Sequence, residues 1–93
     1  MSGPFQKTAT VVNERGIHNR PSVVLAKKAA EFDATIKLRN GEKVADASSV
    51  MQVMILAATC GTELEVTADG PDGEKAIEEI SALIESHFER AYE

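Results

Sequence analysis

Apolar and polar positions alternate with a period of two in some stretches of the chain and recur at helical spacing in others. Residues 7–13 set Ala9 and Val11 against Thr8, Thr10 and Val12, the pattern of a strand with one face in water. Residues 13–16 (NERG) read as a loop. From 19 to 32, Ser22, Leu25, Ala26, Ala29 and Phe32 fall on one helical face while Lys27, Lys28 and Glu31 can face solvent. This predicts a first helix with His18 or Asn19 at its cap. Residues 34–39 alternate again, with Ile36 and Leu38 on one side. Asn40-Gly41 is a tight-turn signal before a second strand at 42–45, so a hairpin is expected here.

Ser48-Ser49 precedes a run, 50–58, that is apolar nearly all round; either serine could cap a helix there, with Val53 and Leu56 facing the core. Gly61 ends the run. Residues 62–69 then alternate most cleanly, Leu64, Val66 and Ala68 inward against Glu63, Glu65 and Thr67. After the turn Gly70-Pro71-Asp72-Gly73, residues 74–90 carry Ala76, Ile77, Ile80, Leu83, Ile84 and Phe88 as a helical stripe, with acidic residues near the start and Arg90 near the end. The order β-α-β-β-α-β-α predicts an α+β fold. It would be an open-faced β-sandwich, a four-stranded antiparallel sheet with three helices on one face.

Length and composition narrow the functional classes. Ninety-three residues, 43% hydrophobic and 27% charged, suit one domain over 1–93, with a core from about 7 to 88 and a short N-terminal extension, 1–6. A second lobe enclosing a large substrate does not fit. No apolar run approaches the roughly 18 residues of a membrane span, and Met1-Ser2-Gly3-Pro4 lacks the basic head and apolar core of a signal peptide. A cytoplasmic monomer without membrane insertion is expected. A net charge of −5 argues against nucleic-acid binding. The single Cys60 cannot form an intrachain disulfide and has no metal-site partners in sequence, so no metal and no cofactor are expected. His87 and the glutamates of the last helix read as a solvated face.

Chemistry concentrates in Gly16-Ile17-His18-Asn19-Arg20-Pro21-Ser22, where a strand gives way to a helix. A helix N-terminus stabilises an anion through unpaired N–H groups and the dipole. Pro21 suits a first helical turn, where its missing N–H is not needed, and Gly16 permits a tight turn. His18 adds a nucleophilic nitrogen that changes charge near neutral pH, so covalent phosphoryl carriage is expected beyond phosphate binding. The helix dipole also disfavours imidazolium, leaving more of the neutral nucleophile.

This motif, together with Ser49-Val50-Met51-Gln52-Val53-Met54 and the order of elements, resembles HPr, the histidine-containing phosphocarrier family of the bacterial phosphoenolpyruvate-dependent sugar phosphotransferase system. The resemblance implies that His18 accepts a phosphoryl group on Nδ1 from phosphorylated enzyme I and passes it to IIA domains of sugar permeases. Arg20 would then stabilise the phosphate, and Gly16, Asn19 and Pro21 would form the helix start. It further implies a regulatory phosphorylation of Ser49 by HPr kinase/phosphorylase, although Ser48 stands where many kinase-regulated relatives have a lysine. A docking face would comprise Asn19, Arg20, Val23, Lys27, Val50, Met51 and Met54. Such a protein is a phosphorylated intermediate, not an enzyme. Two alternatives remain: a regulatory paralogue of the nitrogen-linked branch with the same histidine chemistry, and a non-catalytic anion- or ligand-binding module of the same shape.

Overall fold

A computed structural model describes residues 4–12, 17 and 19–86. The elements are β1 (Phe5–Thr10), α1 (Asn19–Ala29), β2 (Thr35–Asn40), β3 (Lys43–Asp46), α2 (Val50–Ile55), β4 (Glu63–Asp69) and α3 (Gly73–Glu85). The strands form one antiparallel sheet in the order β1-β4-β2-β3. This is the expected α+β open-faced sandwich.

Alternation decides which side of the sheet is covered. Ala9 of β1, Leu64, Val66 and Ala68 of β4, Ile36 and Leu38 of β2, and Ala45 of β3 are all buried. Their neighbours, such as Thr8, Lys37, Arg39 and Glu63, point to the open face. Leu25 and Ala29 of α1, Val53 of α2, and Ala76, Ile77, Ile80 and Ile84 of α3 complete one core. Each fully buried Leu or Ile contributes about 1.5–3 kcal/mol relative to an exposed one. Among these helices, α3 lies on β1 and β4, and α1 packs against both α2 and α3.

Several boundaries differ from those expected, for local reasons. β1 begins at Phe5 rather than at 7, so Phe5 and Gln6 belong to the sheet. Phe5 pairs with Ala68, and its ring lies so close to Gly73 that a Cβ there would come within 2.8 Å of it. α1 ends at Ala29 rather than at 32, because Glu31 and Phe32 tighten into bonds to the carbonyls of Lys28 and Ala29. Phe32 still packs on the core, so its apolar spacing outlasts the helix. α2 stops at Ile55, three residues short of the expected end, because Ala57 turns left-handed at φ 53.

The helices are also tied by polar contacts. Asp72, which precedes α3, turns its carboxylate to accept the Asp33 N–H at 2.7 Å. Lys28 of α1 lies 2.8 Å from Glu79 of α3 and over the Phe32 ring. The hydrogen bond to Glu79 raises the Lys28 pKa and lowers that of Glu79. Expectations for 13–16, His18, His87, Phe88 and Arg90 lie outside the described residues.

Candidate functional site

The site is assembled where the chain enters α1. Ile17 is buried, and its N–H donates to the Ala58 carbonyl at 2.9 Å, in the connection between α2 and β4. On the other side of 13–16, Val11 donates to Thr62 and accepts from Gly61, at 2.9 and 2.8 Å. Val11 and Ile17, on either side of 13–16, are therefore both fastened to the 58–62 connection. α1 starts at Asn19 and puts Pro21 in its first turn, as the missing N–H requires. Pro21 and Ser22 are buried and Arg20 is exposed. Gly16, His18 and the Asn19 side chain lie outside the described residues.

The second half of the site is α2. Ser49 is its N-cap, extended at φ −106, and its hydroxyl accepts the Gln52 N–H at 3.3 Å. Gln52 in turn accepts the Asp46 N–H at 2.9 Å through its side-chain oxygen. Asp46 accepts from the Ser48 hydroxyl at 2.7 Å and the Ser48 N–H at 2.9 Å. Those two bonds, the hydroxyl's first, hold the Asp46 carboxyl below the usual carboxylate range, with Lys37 adding to the effect. Ser48 thus fastens the strand-to-helix turn, while Ser49 caps the helix.

Of the six residues of α2, only Val53 is buried, with Leu56 buried just beyond. Met51 is 75% exposed, Met54 43% and Ile55 64%. The spacing i, i+3, i+4 puts these three on one face. Ile55, four residues on from Met51, shares this face although the expected docking face leaves it out. Val50 is half-buried at the helix start. Val23 and Lys27 stand on the other flank of the predicted docking face. They line a groove of about 730 Å³ between α1 and α3, with Val24, Ala82 and Leu83. Among the described residues no cluster of His, Cys, Asp and Glu could hold a metal ion, and no helix is long and apolar enough to cross a membrane.

A family model described as the PTS HPr component phosphorylation site matches residues 5–86. The chain belongs to the HPr family. It is 40% identical over 83 residues to the phosphocarrier protein HPr of Treponema pallidum, covering 89% of this chain and 94% of that one. The phosphocarrier protein NPr of Escherichia coli is 36% identical over 85 residues, 90% of this chain and 94% of that protein. The fold matches the crystal structure of HPr-C-His from Thermoanaerobacter tengcongensis with a TM-score of 0.87 at 32% identity, covering 91% and 96% of the two chains. The chain is therefore a phosphocarrier of the phosphotransferase system and not an enzyme. The family works between phosphoryl donor and acceptor proteins.

Proposed function

We propose that His18 accepts a phosphoryl group on Nδ1 from phosphorylated enzyme I and passes it to IIA domains of sugar permeases in the cytoplasm. The observation that carries this reading is the start of α1 at Asn19, directly after the histidine, with Arg20 exposed in its first turn. In the transfer the Nδ1 lone pair forms the N–P bond while the donor's bond to phosphorus breaks, its electron pair leaving on the donor. First-turn N–H groups and the Arg20 guanidinium face the resulting dianion. A helix N-terminus contributes only about 0.3–1 kcal/mol to holding such charge, and up to ~2 in favourable geometry, so the group remains transferable. Val23, Lys27, Val50, Met51 and Met54 form the docking face.

Incubation with enzyme I and phosphoenolpyruvate should add an acid-labile group of about 80 Da, which His18→Ala abolishes. Persistence of that gain in the variant overturns the assignment. A second reading, a regulatory carrier of the nitrogen-linked branch, has support in the 36% identity to NPr, beside the 40% to HPr. It keeps the histidine chemistry and changes the partners, so transfer to a nitrogen-branch acceptor in place of sugar IIA domains distinguishes it. Ser49 serves as a regulatory site for HPr kinase/phosphorylase, supported by its place as the half-buried cap of the docking helix.

A further inference from the structure

The C-terminal end of α2 is held by a side chain far from it in sequence. The Asn40 amide, at the tip of the β2–β3 hairpin, donates through Nδ2 to the Leu56 carbonyl at 2.9 Å in a part-buried contact. Leu56 caps α2, and its carbonyl is among the last four that a helix leaves without a partner of its own. The next residue, Ala57, is left-handed at φ 53, and the one after it, Ala58, is buried and accepts the Ile17 N–H at 2.9 Å. Ile17 directly precedes His18. A continuous path of two hydrogen bonds and one strained alanine therefore runs from the hairpin tip to the residue beside the proposed nucleophile.

The hairpin tip is itself fixed. Gly41 supplies the positive φ of 63 that the turn requires, and the Arg39 Nε–H donates to the Gly41 carbonyl at 2.9 Å. The tip can therefore act as an anchor. Ala57, by contrast, carries a β-carbon in a region that L-residues leave unless their surroundings hold them. With only six residues, α2 lacks the length to hold its own end in place.

We infer that Asn40 is a positioning residue for phosphoryl transfer: its amide locks the turn at 56–58 and thereby sets the backbone at Ile17, and so the approach of His18 to its donor. The inference rests on the carrier reading of His18. The Asn40→Asp substitution keeps the shape but replaces the donor with a carboxylate facing the Leu56 carbonyl. Without the lock, Ala57 leaves the left-handed region and the Ala58 carbonyl moves away from the Ile17 N–H.

The test measures phosphorylation of Asn40→Asp by enzyme I and phosphoenolpyruvate, the NMR signal and hydrogen exchange of the Ile17 amide, the titration of the His18 ring, and urea stability. Misplacement of a reacting group by about 1 Å can cost 10²-fold, so a fall in kcat of about tenfold is expected, with KM for the carrier changed less than about twofold. The Ile17 amide should exchange faster and the His18 titration midpoint should move while the protein stays folded. The inference is overturned if the Ile17 and His18 signals are unchanged, or if the rate falls only with the folded fraction. Should Asn40→Asp not fold, Asn40→Ala, which sets no acceptor against the carbonyl, takes the same measurements and the same criteria. If the wild-type chain takes no phosphoryl group, the carrier reading fails, and the Ile17 and His18 signals still decide whether Asn40 sets the backbone there.

Discussion

Truncating Met51 and Val53 separately should divide docking from stability. The two lie two residues apart in α2, yet Met51 is 75% exposed and Val53 is 0% exposed. Full burial of a methionine side chain contributes about 1.5–3 kcal/mol, so with a quarter of it engaged, Met51→Ala should cost the fold less than about 0.8 kcal/mol. Val53→Ala removes two buried carbons at about 0.8 kcal/mol each and leaves a cavity, for a loss of about 2–3 kcal/mol. In the complex the order reverses. A partner covering the remaining three-quarters of Met51 gains about 1–2 kcal/mol from it, so KM with enzyme I should rise about 5–30-fold in Met51→Ala. At a temperature where Val53→Ala is fully folded, its KM should stay near the wild-type value. Urea unfolding and steady-state phosphorylation measure both effects. An unchanged KM in Met51→Ala, or a stability loss equal to that of Val53→Ala, refutes the reasoning.

Two further outcomes follow from single contacts. Ser48→Ala removes the hydroxyl that contributes most to the low Asp46 pKa, so the carboxyl should titrate higher, towards its ordinary value, by carboxyl-carbon NMR. Because the folded carboxyl titrates below the unfolded one, its stabilisation is complete above the unfolded pKa and is lost as pH falls through the folded value. Urea melts between about pH 2 and 6 should therefore show a shallower acid dependence in Ser48→Ala. Ser81 is buried in α3 with a hydroxyl that has no hydrogen-bond partner among the described residues. Ser81→Ala should leave the fold equally stable or stabilise it by up to about 1 kcal/mol, and a loss larger than that would show that the hydroxyl is bonded in solution.

The sheet and its covered face were legible because period-two alternation reports burial directly. In β4, Leu64, Val66 and Ala68 are all buried, as their spacing predicts. Helix ends were less legible, because apolar spacing reports which residues touch the core and not whether the backbone between them is helical. Phe32 reaches the core from beyond α1, and Ala58 is buried beyond α2. The turn at Ala57 carries no glycine, so the residue that ordinarily marks a left-handed helix end is missing there. Asn40 could be read as a turn residue, but its bond to Leu56 spans sixteen positions and depends on the hairpin meeting α2 in three dimensions. At the site, residue types and spacing pointed to phosphate chemistry, while the fastening of Ile17 to Ala58 is a tertiary contact with no local signal.

The exposure of α2 is the feature that the fold alone leaves unexplained. A nearly all-apolar helix is ordinarily buried, but here only Val53 and Leu56 reach the core, and three large apolar side chains remain in water. Nothing in the packing of the sheet requires them. Replacing Met51 or Ile55 with a polar residue would cost the isolated fold little, since most of the surface of each is already solvated. The three also differ in stiffness. Met51 and Met54 are unbranched and conform to differently shaped surfaces, whereas Ile55 is β-branched and holds a narrow set of rotamers. A carrier whose donor and acceptors are different proteins needs a surface that fits more than one shape. Under the proposed docking role, two adaptable residues beside one stiff residue would provide that on a helix whose ends are held by Ser49 and Asn40.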